Sequence, residues 1–320
     1  MSPKPILPSR LSPSRIKDFL QCPKLFHFKA MGLSTPPTAA TAKGTLAHHV
    51  FERIFDHPRQ ERGKEVALQY LLPAWRMMIE PLRSKEDVTD TAEIRLRDAG
   101  KMWREEHAEG SVSEARLLRE AADYRSIISE KNEEEFLKEA EDCVLGWYAM
   151  ENPEKFDPME REFYVAAELA GVNVHGYIDR LDRIETANGP RYYVSDYKTG
   201  RPPGERFQGE AFFQLAVYAL LVEKQLGVRP FQLRLIYVRE GRPDAVLTQP
   251  ASPALLTAAK KKIAGVWRDI QRAAETDTWE PRKQTLCGWC FFQSVCPAYD
   301  PTAEGLTTEE LAGRTGARLG

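Results

Sequence analysis

The sequence predicts a mixed α/β chain in which a sheet is flanked by helices, and three observations lead there. From Glu160 to Gly200 apolar and polar residues alternate with a period of two, interrupted by turn signals at Gly171 and Asn188-Gly189. On either side, in residues 44–55, 205–227 and 253–274, apolar residues recur at helical spacing. In the middle of the alternating stretch, two adjacent strands carry a carboxylate each plus a lysine as candidates for chemistry.

At 320 residues, 42% hydrophobic and 29% charged, the chain can bury a substantial core, as one large domain or a core with an elaboration. A net charge of −2 argues against a wholly basic nucleic-acid coat but leaves room for a local basic groove. Residues 1–30 hold Lys4, Arg10, Arg15, Lys17, Lys24 and Lys29 against only Asp18, which suggests a phosphate-facing arm. There is no run of about 18 apolar residues and no apolar segment ahead of a small-residue cleavage site near residue 30, so a cytoplasmic protein without a membrane partner is expected. Five cysteines, four of them near the two ends, suit ligation in a reducing compartment better than a disulfide framework.

In chain order, residues 1–9 are Pro-rich and extended, and Ser12-Pro13-Ser14 opens a short helix reaching Cys22-Pro23. Phe26 and Phe28 beside Lys24 and Lys29 fit either a base-stacking edge or packing around a cysteine ligand, and packing is preferred. In GTLAHHVFERIF, Leu46, Ala47, Val50, Phe51, Ile54 and Phe55 form one stripe, with His48 at its edge and His49 well away from it. Residues 58–150 read as charge-rich helices covering the core; their acidic run is a solvated face and Cys143 a buried small hydrophobe. The helix over 205–227 is apolar almost all round, except that Gln214, Tyr218 and Gln225 share a face, where buried polar groups need partners. The strand at 231–240 and the segment DAVLTQP complete the sheet, and the polar tail from Pro301 to Gly320 is expected to be flexible.

The chemistry concentrates in VHGYIDRLDRIETANGPRYYVSDYKT. Side chains two apart on a strand share a face, so Asp196 and Lys198 point one way while Tyr197 offers that face only its backbone carbonyl. With Asp179 these make a site for a hard divalent ion, Mg2+ or Mn2+, and Lys198 could orient a water or neutralise developing charge. Asp182 lies on the opposite strand face from Asp179 and reads as a surface or Arg-paired residue; Glu162 is a lesser candidate for an additional acidic ligand. A second constellation is Cys287-Gly-Trp-Cys290, then Cys296-Pro, with distant Cys22 as a fourth thiolate. Its spacing fits either a structural Zn2+ or an iron–sulfur cluster.

An Asp-x-Lys triplet is expected roughly once by chance in a chain this long, so the weight falls on the flanking pattern. Gly176-Tyr-Ile-Asp179-Arg followed by apolar-flanked Asp196-Tyr-Lys198 resembles the PD-(D/E)XK nuclease superfamily, in its RecB-type branch. Gly44-x-x-x-His48 upstream and Gln214-x-x-x-Tyr218 downstream are further elements of that pattern. The single early cysteine with three near the C-terminus resembles the 4Fe-4S staple of AddB-type and CRISPR-adaptation nucleases, and for that reason iron is preferred to zinc. The motifs run in family order from Cys22 to Cys296, but residues 58–150 match nothing in it.

The resemblance implies a restriction-endonuclease-like core that hydrolyses DNA with magnesium or manganese. His48 would sit close to the metals, Asp179, Asp196 and Tyr197 would be ligands, Lys198 would serve the attacking water, and Gln214 and Tyr218 would support the site or contact DNA. The expected organisation is an arm and first core helix over 1–57, a helical insertion over 58–159, the nuclease core over 160–280, a cysteine segment over 281–300 clasping the two ends, and a tail over 301–320. No Gly-x-x-x-x-Gly-Lys-Ser/Thr loop occurs, so the chain has no recognisable motor for opening duplexes. A preference for single strands, supplied by a helicase or other repair protein, is therefore expected, and the resemblance implies an exonuclease acting in DNA repair or recombination. The alternatives are a DNA endonuclease, a non-catalytic DNA-binding subunit, a hydrolase of another substrate, and a zinc-stabilised interaction module.

Overall fold

The computed structural model describes residues 7–79, 122–127 and 132–319. Lys4 of the basic arm, and residues 80–121 and 128–131 of the helical block, lie outside the described residues. Among the described residues the main helices are α1 (Pro13–Gln21), α2 (Pro23–Ala30), α3 (Ala39–Arg53), α4 (Lys64–Leu68), α5 (Leu71–Ile79), α6 (Glu133–Met150), α7 (Phe213–Leu226, preceded by one turn over Gln208–Ala211), α8 (Pro253–Thr276) and α9 (Thr308–Thr315). The strands are β1 (Arg10–Leu11), β2 (Leu33–Ser34), β3 (Glu160–Leu169), β4 (Val172–Ile184), β5 (Arg191–Lys198), β6 (Gln232–Tyr237), β7 (Val246–Pro250) and β8 (Arg318–Leu319). Two compact units emerge, one of residues 37–165 and 176–252, the other of residues 1–36, 166–175 and 253–320. Among the described residues no helix is long and apolar enough to cross a membrane.

The first unit is built on a mixed sheet flanked by helices. β4 and β5 are antiparallel, with Arg180 opposite Ser195 and Asp182 opposite Tyr193. β5 and β6 are parallel, with Asp196 beside Leu235, and β7 closes the edge antiparallel to β6. A parallel pair needs a crossover, which α7 supplies while packing on both strands. The residues Leu215 to Val222 of α7 are buried without a break, and the helix stops at Gly227, whose φ of 70° suits glycine. The single helix expected over 205–227 is divided at Phe212, though Phe212 still donates its N–H to Gln208 O at 3.1 Å and the path stays helical.

On the sheet face that carries Tyr197, α3 and α6 close the core. Phe51, Trp147 and Tyr197 meet there with ring centroids 4.7–5.9 Å apart. Trp75, Met78 and Phe136 are buried in the same cluster as Leu46 and Val50, so the described residues of this block pack onto the core through their apolar side chains. Its tightest point is Gly146 of α6, where an added Cβ would lie 2.0 Å from Val238 O. Cys143 is fully buried, as a small hydrophobe would be. His49 corrects the single-stripe reading of α3: it is buried too, edge-on to Tyr70 at 6.0 Å, because this helix is covered on more than one side.

In the second unit, β1 runs parallel to the start of β4, with Leu11 beside Val174. Ser12 caps α1 by accepting the N–H of Arg15. Phe26 packs against Phe19 and Trp279 at 5.5 and 5.8 Å, and Phe28 against Phe292 at 5.1 Å. Both rings are buried, so the packing reading holds and the stacking edge does not. α8 buries Leu256, Ala259, Ile263, Val266, Ile270 and Ala273, a single stripe at spacings of three and four.

The tail expected to be flexible is folded. Thr307 and Glu310 form a reciprocal capping box at the start of α9, Leu311 and Ala312 are buried, and Gly316 ends the helix at φ 72°. β8 then pairs antiparallel with β2, Leu319 opposite Leu33. Polar composition concealed this, because two buried residues and a cap suffice to dock a two-turn helix onto Phe28, Phe292 and Val295.

Candidate functional site

The strand pleat separates two sets of side chains. Ser195, Tyr197, Arg180 and Asp182 share one face of β4 and β5, and Asp179, Asp196 and Lys198 the other. Asp179 accepts the backbone N–H of Tyr197 through Oδ2 at 2.7 Å. His48, reaching in from α3, has Nε2 3.2 Å from Tyr197 O and Nδ1 3.6 Å from Asp179 Oδ2. Against a carbonyl Nε2 can act only as a donor, so in the neutral ring Nδ1 is an acceptor facing carboxylates. Glu162 Oε1 completes the group, 3.9 Å from His48 Nδ1.

His48, Glu162 and Asp179 each offer a ligand atom, all within 4.8 Å of one another. Two carboxylates and an imidazole lone pair at that separation repel unless a proton or a cation lies among them. Burial, with Asp196 and Glu162 nearby and His48 opposing them, pushes the Asp179 carboxyl up to about 7. Glu162 reaches this position from a backbone φ of 44°, a left-handed conformation that a non-glycine residue adopts at a cost on the order of 1–3 kcal/mol. Such strain inside β3 turns the buried carboxylate toward the group. Spacing alone ranked Glu162 behind Asp196, because nothing in sequence announces a positive φ at a glutamate.

Asp196 stands beside this group with different partners. Its Oδ2 pairs with Lys198 Nζ at 2.5 Å, and its Oδ1 accepts from Gln214 Nε2 at 3.1 Å. Gln214 Nε2 also donates to Tyr218 Oη at 3.0 Å, so the two polar residues of α7 serve one carboxylate. Gln225, grouped with them by spacing, instead donates to Tyr164 O. Burial works against the Lys198 charge, but Asp196 and Asp179 outweigh it and hold the ammonium above its ordinary range. Burial, reinforced by the same two carboxylates, keeps Tyr218 a neutral phenol. The carbonyl of Tyr197 lies at the site, where it accepts from His48 and has a second lone pair. Asp182 is buried and Arg-paired, bonded to Arg180 at 3.0 Å and to Arg234.

The cysteines gather in the second unit. Cys22, Cys287, Cys290 and Cys296 line one open pocket of about 30 Å³. Two backbone amides point at sulfur: Arg282 N–H donates to Cys22 Sγ and Gln284 N–H to Cys287 Sγ, each at 3.4 Å. Arg282 also donates to Leu20 O at 2.7 Å and Gln284 to Gln21 O at 2.8 Å, which ties residues 20–22 to residues 282–284. Burial and the neighbouring thiols push Cys290 and Cys296 up from the ordinary thiol range, so both are held as thiols in the absence of a cation.

A family model described as the PD-(D/E)XK nuclease superfamily matches residues 10–297. The Gene 69 protein of Mycobacterium phage L5 is 30% identical over 134 residues, 41% of this chain and 42% of the phage protein. That of Mycobacterium phage D29 is 28% identical over 140 residues, 43% of this chain and 48% of its own length. The chain thus spans less than half the length of the curated relatives it matches. Among solved structures, a Eubacterium rectale protein provisionally named as an exonuclease superposes with a TM-score of 0.48 at 11% identity, over 88% of this chain and 87% of its own.

Proposed function

This chain belongs to the PD-(D/E)XK nuclease superfamily, and from that premise we propose that it is a Mg2+- or Mn2+-dependent deoxyribonuclease of the RecB type, an exonuclease that prefers single strands and acts in DNA repair or recombination. The observation that carries the reading is the convergence of His48, Glu162 and Asp179 on one point beside the Asp196–Lys198 ion pair.

The donor set suits a divalent cation: carboxylate oxygens with one imidazole fit Mg2+ and suit Mn2+ better. His48, Glu162 and Asp179 would hold it, with Asp196 and the Tyr197 carbonyl completing the set. Such an ion, when bound, supplies Lewis acidity at the scissile phosphate and acidifies water. Lys198, kept as an ammonium by its carboxylate neighbours, orients the attacking water and stabilises charge developing on the phosphate. Gln214 fixes the rotamer of Asp196, and Tyr218 fixes Gln214.

The four cysteines would hold a 4Fe-4S cluster of the AddB-like kind, with structural Zn2+ as the alternative. Amide donors to Cys22 and Cys287 Sγ suit a cluster whose charge such bonds disperse.

For single-strand preference, Phe26 and Phe28 are unavailable, being buried. Trp289, 80% exposed, and Tyr299, with Lys283 Nζ 5.0 Å from its ring centroid, offer stacking surface next to positive charge. Duplex opening would fall to a helicase or other repair protein. The deciding assay compares linear single strands, closed single-stranded circles and blunt duplex at equal Mg2+ or Mn2+. Linear strands should be degraded fastest, and Asp196→Ala or Lys198→Ala should lower turnover by about 10²–10³-fold with DNA binding retained. Equal cutting of all three forms would favour an endonuclease. Wild-type turnover by Asp196→Ala would overturn the site, and DNA binding without cleavage would favour a non-catalytic subunit.

A further inference from the structure

Behind the carboxylate group, on the opposite face of β4 and β5, lies a buried charged network that the proposed chemistry does not use. Arg180 is only 2% exposed, yet every arm of its guanidinium is engaged. Nη1 and Nη2 make a bidentate pair with Glu151 at 2.7 Å each, Nε donates to Asp182 Oδ2 at 3.0 Å, and Nη1 also donates to Tyr197 Oη at 2.5 Å. Trp147 Nε1 donates to Glu151 Oε2 at 2.7 Å, and Arg234 joins Asp182 to Ser195 Oγ. Phe156 and Tyr197 flank the guanidinium, with ring centroids 4.8 and 5.4 Å from it.

A buried arginine and a half-buried one, balanced by one buried and one half-buried carboxylate, are a poor device for stability alone, since well-packed apolar residues would serve as well or better. They are a good device for specifying geometry. A slip of one residue between β4 and β5 would exchange the two faces, bringing Arg180 to the face now held by Asp179. It would also strand Glu151 without its cation and part Asp182 from Arg234.

Tyr197 connects this network to the site. Its hydroxyl is held by Arg180 on one face of the strand, while its N–H is given to Asp179 and its C=O faces His48. We propose that Arg180, held by Glu151, is a positioning residue that anchors the Tyr197 hydroxyl and so fixes the peptide that orients Asp179 and His48 for the cation. This rests on the metal-site reading above, since the cation is what the orientation serves.

Removing Arg180 outright would leave buried carboxylates unpaired and risks unfolding, so Tyr197→Phe, which deletes only the hydroxyl, is the primary variant, with Arg180→Lys beside it. Mn2+ affinity is read without DNA from the loss of the free-ion electron paramagnetic resonance signal, and hydrogen exchange is read at the residue 197 amide. Tyr197→Phe is expected to weaken Mn2+ binding by about 10-fold, in the range seen when a group supporting a metal ligand is lost. It should speed exchange of that one amide by a similar factor, and lower kcat with KM for DNA unchanged. A folded Tyr197→Phe protein with wild-type Mn2+ affinity and wild-type amide exchange would overturn the anchor. If the wild-type protein itself bound no Mn2+, the metal-site reading would fall, and the amide exchange would decide for or against the anchor alone.

Discussion

The ring of Tyr218 occupies the space where Gly176 would carry a side chain, since a Cβ built there lies 2.4 Å from Tyr218 Cε1. The glycine ahead of Asp179 in β4 thus makes room for the tyrosine that supports Gln214. Gly176→Ala should push that ring aside, cost about 1–3 kcal/mol as an overpacked site does, and lower turnover. Chemical denaturation and single-turnover cleavage measure both. In a Tyr218→Leu background the added methyl should cost little, and an equal penalty in both backgrounds would place the strain elsewhere.

His48 and His49 are adjacent on α3 but face different surroundings, one at the carboxylates and the other against Tyr70. His48→Ala should reduce Mn2+-supported activity by at least 10-fold with little change in melting temperature. His49→Ala should do the reverse, lowering the melting temperature through a buried cavity while leaving the Mn2+ response intact. Equal Mn2+ responses in the two variants would return His48 to a structural role.

Asp179 makes the site pH-sensitive. Its folded-state value, about 7, lies above the ordinary aspartate range, so between roughly pH 4 and 7 the folded state binds more protons than the unfolded one. This group's contribution to the stability of metal-free protein is therefore full below that window and is lost as pH rises through about 7. A cation competes with the proton, so the thermal shift produced by Mn2+ should grow from pH 5.5 to pH 8, in roughly that window. Asp179→Asn should flatten the trend, and a Mn2+ shift independent of pH in the wild type would contradict it.

Cys22→Ser should abolish iron and sulfide in anaerobically purified protein and reduce solubility, because ligation couples to folding. Cys143→Ala, in the buried core of the other unit, should keep a full complement. Elemental analysis separates the outcomes, including zinc in place of iron. A Cys22→Ser protein that retained full metal would exclude this residue as a ligand.

Much of the site was legible because strand periodicity fixes faces: Asp179 with Asp196 and Lys198, and Asp182 turned away toward arginines, follow from counting by twos. Gln214 and Tyr218 were visible as polar residues inside an apolar helix. Glu162 was underweighted because its direction comes from an unusual φ rather than from spacing. Arg180 passed unnoticed because a buried arginine in a strand resembles a solvated one until Glu151, far along the chain, is seen to meet it. His49 was set apart from the apolar stripe, yet Tyr70 covers that side of α3; residues 301–319 were misread because polar composition was taken as mobility, whereas Phe28 and Phe292 provide cover.

The bonds from Arg282 and Gln284 back to Leu20, Gln21 and Cys22 span 260 to 263 residues. At a synthesis rate of about 5–20 residues per second, Cys22 leaves the ribosome roughly 13–50 s before its partners are made. Throughout that interval the newborn chain carries a lone thiol that its own later sequence has yet to shelter. If the four cysteines hold the cluster proposed above, its delivery would have to follow translation, and a shortage of iron or oxidant stress would leave chains whose ends never joined.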